Sequence, residues 1–278
     1  MENILNIEHL KVWDKRNQQI LVDDISFGLK KGQCLAIVGE SGSGKSMTCR
    51  SILGLNKPWL CQSGNIYFEG KNLLSMKRKD LMKISGRKIC MIMQSGSSAF
   101  DPSCKMRVHF RETLKCNLGY DYKKADMEMM DAMNKVLLKD PEQVLQKYPF
   151  QLSGGMLQRC MIAMAIALRP EIIIADEPTT ALDLITQYEV IYQFQTLREE
   201  TESAMLFVSH DLGIVKQIAD EIVVMKDGKL IEHGSSEDIF NHPKEMFTRH
   251  LIDTKKAMGQ EFNRVYGGKK YAGSETCQ

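Results

Sequence analysis

The stretch Gly39-Glu40-Ser41-Gly42-Ser43-Gly44-Lys45-Ser46 constrains this chain more than any other. Four residues separate its first glycine from the Gly-Lys-Ser end, which is the spacing of a phosphate-binding P-loop. The apolar run Cys34 to Val38 ahead of it reads as a buried strand, and a helix is predicted to start near Lys45. The glycines let the backbone curl so that its N–H groups approach phosphate oxygens, and the helix adds the positive end of its dipole. Lys45 then reaches the β- and γ-phosphates, and the Ser46 hydroxyl can ligate Mg2+. A Gly/Ser-rich surface loop would not require strand, loop and helix signals in this order.

With 278 residues and 43% hydrophobic content, the chain can bury a substantial core as one large domain, or as one domain with a subdomain. Its formal charge of +2 argues against a general nucleic-acid binder. The basic run Lys77-Arg78-Lys79 with Lys83, Arg87 and Lys88 is interrupted by Asp80, Leu81, Met82 and Ile84, so it reads as a solvated helix face. Eight cysteines are scattered without a C-x-x-C pair, which fits neither a zinc site nor a disulfide framework. Cys34, Cys49, Cys90 and Cys160 have apolar neighbours and read as small core residues. Free thiols point to a reducing compartment, the cytoplasm. Met-Glu-Asn-Ile has no basic n-region before an apolar core, so no signal peptide is expected, and the longest apolar stretch, Cys160 to Leu168, is too short to cross a bilayer.

Alternation of apolar residues predicts two strands, through Ile4, Ile7, Leu10 and Val12 and through Leu21, Ile25, Phe27 and Leu29. A helix ending at Gly54, a short strand over Asn65 to Glu69, a helix over Leu73 to Ile84 and a strand over Lys88 to Met93 follow. From Ser95 to about Gln151 strand signals vanish and helical spacing dominates, with the stripe Met127, Met130, Met133, Val136 and Leu137 expected in the core. Gly154 to Leu168 reads as a buried helix. Strands at Ile172 to Ala175 and Ala204 to Val208 flank a helix over Thr186 to Arg198, and Asp227-Gly228 predicts a hairpin. Alternating strands and helices give an α/β fold with a largely parallel sheet. The polar tail from about Lys255 is expected to fray.

Three further stretches carry chemistry. Ile172 to Ala175 lead into Asp176 and Glu177. A carboxylate at the end of a buried strand beside the P-loop strand holds Mg2+, usually through water, and Glu177 is then placed to polarise an attacking water. The strand ending in Ser209-His210-Asp211 offers a histidine to the γ-phosphate. In Leu152-Ser153-Gly154-Gly155-Met156-Leu157-Gln158-Arg159, Ser153 can cap a helix that opens on glycines, a second phosphate-binding surface without its own lysine. The economical arrangement is a head-to-tail dimer, with ATP between one chain's Ser153 loop and the other's Lys45 loop.

Over about residues 3 to 253 these motifs resemble the ATP-binding subunits of ABC transporters. The resemblance implies an α/β P-loop fold of ABC type, with a mostly parallel core sheet, an antiparallel N-terminal β-subdomain and a helical insertion. It implies an ABC ATPase domain over residues 1–253, with the helical subdomain at about 95–165, and a flexible tail over 254–278. Gly39 to Ser46 is its Walker A motif, in which Gly39, Ser41, Gly42, Ser43, Gly44, Lys45, Ser46 and Met47 bind ATP. Gln94 is the Q-loop glutamine, Leu152 to Met156 the signature, and Ile172 to Asp176 Walker B. Glu177 is the catalytic base, His210 the switch histidine, and Gln94 and Lys45 complete the catalytic set. Ser46, Gln94 and Asp176 hold Mg2+. Ser153, Gly154, Gly155, Met156 and the D-loop Asp183 act across the dimer, and Trp13 is the candidate for stacking on adenine.

Met156 stands where glutamine is usual, a variant that resembles the branch importing peptides and nickel. Within it, Met156-Leu157-Gln158-Arg159 and Ser98-Ala99-Phe100-Asp101-Pro102 resemble nickel or metal–metallophore importers (the NikD-like group), since peptide importers tend to carry Arg where Leu157 stands. Only Cys277 lies beyond Cys160, so no C-terminal iron–sulfur cluster is expected. The implied partners are a second ATPase chain, two membrane permease subunits and an extracytoplasmic solute-binding protein, with no nucleic acid. The implied place is the cytoplasmic face of the cell membrane, and the implied cofactors are ATP and Mg2+. A non-transport ABC ATPase would need coiled-coil arms or two ATPase halves, and the chain has one Walker A motif and no sustained heptads.

Overall fold

The computed structural model describes residues 3–93, 96–179 and 184–254. Two long strands open it, β1 (Asn3–Asp14) and β2 (Ile20–Lys30), followed by the P-loop strand β3 (Cys34–Val38) and α1 (Lys45–Ile52). Next come β4 (Leu60–Phe68), β5 (Lys71–Asn72), α2 (Arg78–Ile84) and β6 (Ile89–Ile92). Among the described residues four α-helices separate β6 from the next strand: α3 (Met106–Leu118), α4 (Tyr122–Lys135), α5 (Pro141–Gln146) and α6 (Gly154–Leu168). The chain continues through β7 (Ile172–Asp176), α7 (Leu184–Thr201), β8 (Ala204–Val208) and α8 (Leu212–Ile218) to the hairpin β9 (Glu221–Lys226) and β10 (Lys229–Ser235), then α9 (Ser236–Asn241).

The strands form two sheets. One is antiparallel, in the order β2-β1-β4-β5, and the other runs β10-β9-β3-β8-β7-β6 with only the β9–β10 pair antiparallel. Every residue of β3, β7 and β8 is buried, as expected for parallel strands covered on both faces. One apolar cluster joins the two sheets through Leu10, Ile25, Phe68, Leu35, Ile37 and Ile174. A second joins the opposite face of the core sheet to the helices through Phe110, Met129, Met133, Ile162, Phe194 and Phe207. Among the described residues no helix is long and apolar enough to cross a membrane.

The four expected core cysteines are buried, and burial pushes the Cys34, Cys90 and Cys160 thiols up to about 12, which leaves them unreactive. The basic run is a solvated face, as expected. Lys83 pairs with Asp80 at 2.9 Å, and Lys88 pairs with Glu69 at 2.7 Å and Glu171 at 3.0 Å. Such exposed pairs contribute about 0–1 kcal/mol each.

Three local expectations are corrected. The fourth strand starts at Leu60 rather than Asn65. Gly64 at φ +98 faces His9 at φ +51, where the β1–β4 register breaks between Glu8 and Lys11, so this irregularity interrupts the alternation. Leu73 to Ile84 is not one helix. Leu73–Ser75 is a 3-10 turn closed by the Asn72 side chain, which accepts from the Leu74 N–H; Met76 and Lys77 are extended, and α2 starts afresh at Arg78. The methionine stripe is only partly core. Met133 and Val136 are buried, whereas Met127, Met130 and Leu137 are 64%, 37% and 63% exposed. The buried face of α4 carries Ala125, Met129, Ala132 and Met133, a 3.6-residue phase that an i+3 stripe drifts away from. The expected fraying tail lies outside the described residues.

Candidate active site

At one edge of the core sheet the C-terminal ends of β3, β7 and β8 gather the chemistry, the usual place for a ligand in an α/β sheet. β8 lies between β3 and β7, so the strand ending in Asp176 is one place removed from the P-loop strand, not beside it as expected. This inserts the Ser209-His210 end between the phosphate loop and the carboxylates. The loop still reaches across, because the Ser46 hydroxyl, one residue into α1, donates to Asp176 Oδ1 at 2.7 Å.

The phosphate loop depends on glycine at defined points. Gly39 (φ +151), Gly42 (φ +82) and Gly44 (φ +99) adopt backbone conformations that L side chains rarely take. Lys45 is 4% exposed and lies inside the loop. Its ammonium donates to the carbonyls of Gly39 at 3.0 Å and Glu40 at 2.7 Å and to the Ser43 hydroxyl at 3.4 Å. Burial lowers the Lys45 pKa below its ordinary value, while the charges of Glu177 and Asp176 act the other way. Burial raises the Asp176 pKa against the opposing Ser46 hydrogen bond and the Arg50 charge. A hydroxyl and a carboxylate 2.7 Å apart are hard oxygen donors, so Ser46 and Asp176 fit a divalent cation such as Mg2+.

Glu177 follows β7 at φ +48, and its N–H donates to the Val208 carbonyl at 3.0 Å, which fixes the turn against β8. A non-glycine residue held in this region costs about 1–3 kcal/mol and is found preferentially at functional sites. Its Oε2 lies 3.5 Å from His210 Nδ1, the histidine being half exposed. Ser209 and Asp211 organise that corner: the Ser209 Oγ accepts from the Asp211 N–H at 3.0 Å, and Asp211 caps α8 through the Gly213 N–H at 2.8 Å. Glu177 also lines a cavity of about 400 Å³ with Leu21, Ser41, Gly42, Gly44, Lys45, Ser46 and Met47. A carboxylate, an ammonium and hydroxyls thus line one space beside the glycine loop.

Leu21 was not foreseen at this site. β1 pairs with β2 at Val12↔Val22 and then at Trp13↔Ile20, so Leu21 bulges out of the ladder and towards the phosphate loop. A bulge of this kind leaves no mark in an alternating pattern. Trp13 is half-buried and pairs across the ladder with Ile20, which is 47% exposed and precedes Leu21 in the chain, so the pair offers an apolar ledge on β1 and β2.

Ser153 Oγ accepts from the Met156 N–H at 3.3 Å and caps α6. Ser153 and Gly154 are exposed, Gly155 and Met156 half-buried, and a Cβ on Gly154 would meet nothing within 4 Å. Leu157 points inward: a Cβ on Gly96 would come within 2.7 Å of the Leu157 Cβ. Arg159 ties α6 to its neighbours, donating to the Leu137 carbonyl at 3.1 Å and pairing with Glu189 of α7. Gln94 and Asp183 lie outside the described residues.

A family model described as ABC transporter matches residues 22–180. The metal-staphylopine import system ATP-binding protein CntD of Staphylococcus aureus is 46% identical over 265 residues, 95% of this chain and 98% of that protein. The dipeptide transport ATP-binding protein DppD of Lactococcus lactis is 40% identical over 246 residues, 88% of this chain and 70% of that protein. Among solved structures, a dimeric ATP-binding cassette in a post-hydrolysis state with ADP and Pi superposes with a TM-score of 0.74 at 24% identity, over 84% of this chain and 98% of that one. A component of the cbiONQ transporter complex of Clostridium perfringens gives 0.73 at 23% identity, over 96% and 97%. At these identities the two structures speak for the fold.

Proposed function

The chain belongs to the ABC transporter family as an ATP-hydrolysing importer subunit, and we propose that its transporter carries a transition metal, nickel first among them, as a complex with a small metallophore. The observation that carries the cargo reading is the 46% identity to CntD, a metal-staphylopine import protein, over nearly the whole of both chains. A dipeptide cargo is the second reading, supported by the 40% identity to DppD.

In the proposed mechanism two ATPase chains meet head to tail, and this chain's partner is a different one. The loop from Gly39 to Ser46 holds the triphosphate through its amides, and Lys45 neutralises charge on the β- and γ-phosphates. Ser46 and Asp176, with Gln94, would hold Mg2+, which supplies charge neutralisation on the phosphates when bound. Glu177 takes a proton from the attacking water, and His210 contacts the γ-phosphate from the end of β8. Ser153, Gly154, Gly155 and Met156 present the α6 N-terminus to the nucleotide held by the other chain, with Asp183 nearby. Trp13 and Ile20 form the surface on which adenine stacks.

Docking on two permease subunits is supported by a groove of about 710 Å³ between β6, the end of α1, α3 and α6. Leu55, Met91, Met93, Phe100, Met161 and Met164 make it apolar, and flexible thioethers suit adaptable contact with a helix from another subunit. In this reading the chain works at the cytoplasmic face of the membrane and energises import that begins at a solute-binding protein.

His210→Ala is expected to lower ATP turnover of the assembled transporter by about 10², with the ATP affinity changed less than threefold. The histidine is half exposed and touches Glu177 rather than the loop that anchors the phosphates. Unchanged turnover would remove it from the site. The cargo is tested by uptake of radioactive nickel in metal-limited cells with and without the gene, with and without added metallophore, and with labelled dipeptide alongside. Loss of metallophore-dependent nickel entry with normal dipeptide entry is expected. The opposite pattern assigns the chain to peptide import and leaves the ATPase reading intact.

A further inference from the structure

Three glycines meet behind the phosphate loop. A Cβ on Gly39 would lie 2.1 Å from the Met225 carbonyl oxygen of β9. A Cβ on Gly44 would lie 2.7 Å from the Leu21 carbonyl oxygen of β2. Gly228, in the β9–β10 turn at φ +80, would place a Cβ 2.9 Å from that same oxygen. Two backbone hydrogen bonds cross the junction: the Gly228 N–H donates to the Ser43 carbonyl at 3.2 Å, and the Asp23 N–H donates to the Gly228 carbonyl at 2.8 Å. Asp23 is further tied by Lys11 at 3.2 Å and by Lys229, next to the turn, at 3.6 Å.

The turn therefore stands between the two halves of the nucleotide site. On one side it holds the phosphate loop at Ser43. On the other it holds β2 two residues from Leu21, which lines the loop cavity, and three from Ile20, which pairs with Trp13. Joining β9 to β10 requires neither bond, since an Asp-Gly turn closes a hairpin by its own geometry. A nucleotide links base and phosphates covalently, so the separation of their two platforms has to be held to within about 0.5 Å.

We propose that the Asp227–Gly228 turn is a positioning element that sets the spacing between the phosphate loop and the base ledge of Trp13 and Ile20. The inference rests on the reading that Gly39 to Ser46 takes the triphosphate and Trp13 the base. Gly228 acts through Ser43 and Leu21 and touches no part of the nucleotide.

The test is calorimetric binding of Mg-ATP and of Mg-tripolyphosphate, which has no base, to the full-length chain. Gly228→Asn keeps a residue that tolerates the left-handed turn but brings a Cβ against Leu21. Gly70→Asn is the control, because it puts the same residue at a similar φ of +73 where a Cβ meets nothing within 4 Å. Gly228→Asn is expected to weaken ATP about tenfold, or ~1.4 kcal/mol, and tripolyphosphate less than twofold, while Gly70→Asn changes neither. Equal weakening of both ligands, or wild-type affinity for both, overturns the proposal. A wild-type chain that binds ATP no better than tripolyphosphate removes the base ledge itself and the inference with it. Should Gly228→Asn not fold, hydrogen exchange on the wild-type chain decides: ATP is expected to protect the Gly228 and Asp23 amides at least threefold more than tripolyphosphate does, and equal protection overturns the proposal.

Discussion

Glu177→Gln is expected to lower ATP turnover of the assembled transporter by about 10²–10⁴-fold while Mg-ATP stays bound. Glutamine keeps the size and shape of the side chain but cannot accept a proton from water. The backbone that aims the residue is held independently of its carboxylate, by the N–H bond to the Val208 carbonyl at 3.0 Å, so the φ +48 turn should survive the change. The loop that binds phosphate is also untouched, since Lys45 is anchored on the Gly39 and Glu40 carbonyls. Binding and chemistry therefore separate, and ATP should accumulate between two closed chains. Size-exclusion chromatography with and without ATP, beside a turnover assay, checks both halves. Normal turnover by the mutant would mean that another group activates the water. A large loss of ATP affinity would mean that the Glu177 charge acts mainly by holding Lys45 in place, since it is one of the two carboxylates that oppose the burial of that ammonium.

What could be read along the chain were the elements whose signal is local. β3, β7 and β8 are continuous apolar runs buried throughout, and α6 begins at its serine cap and ends before Pro170. The positions of the Gly39–Ser46 loop, between β3 and α1, and of Asp176 at the end of β7 were legible because the motif spacing itself sets strand, loop and helix in order. The order of the strands was not. Nothing local places β8 between β3 and β7, and only the assembled sheet brings His210 to within 3.5 Å of Glu177. The Asp227-Gly228 hairpin was legible, but its hydrogen bonds to Ser43 and Asp23 were not, and Leu21 was missed as a cavity residue for the same reason: these contacts join segments far apart in sequence. The α4 stripe failed on phase: three-residue steps match a helix over one turn and drift off its buried face over three. Met127 and Met130 therefore face solvent while Met129 and Met133 are enclosed.

Lys45→Ala is expected to cut ATP turnover by about 10²–10³-fold and to weaken ATP binding with it, so that transport stops. The side chain is 4% exposed and has three oxygen partners, so its loss acts in two places. The phosphates lose the cation nearest them. The buried Gly39 carbonyl loses a donor, at about 1–3 kcal/mol for a buried group left unsatisfied; the part-buried Glu40 carbonyl loses one too, and Asp176 and Glu177 lose a compensating charge. Lys45→Arg separates the two effects. It restores a positive charge, but a planar guanidinium fork is wider than an ammonium and does not fit a slot closed by the Gly39 and Glu40 carbonyls. Arginine is therefore expected to recover less than a tenth of the lost activity. Turnover, ATP affinity and melting temperature measured on the three chains together decide the matter. If alanine keeps turnover within threefold of the native chain, the loop from Gly39 to Ser46 does not carry the reaction. If arginine restores it fully, charge alone is what the site needs, and the tight seating of Lys45 between its carbonyls is a matter of stability.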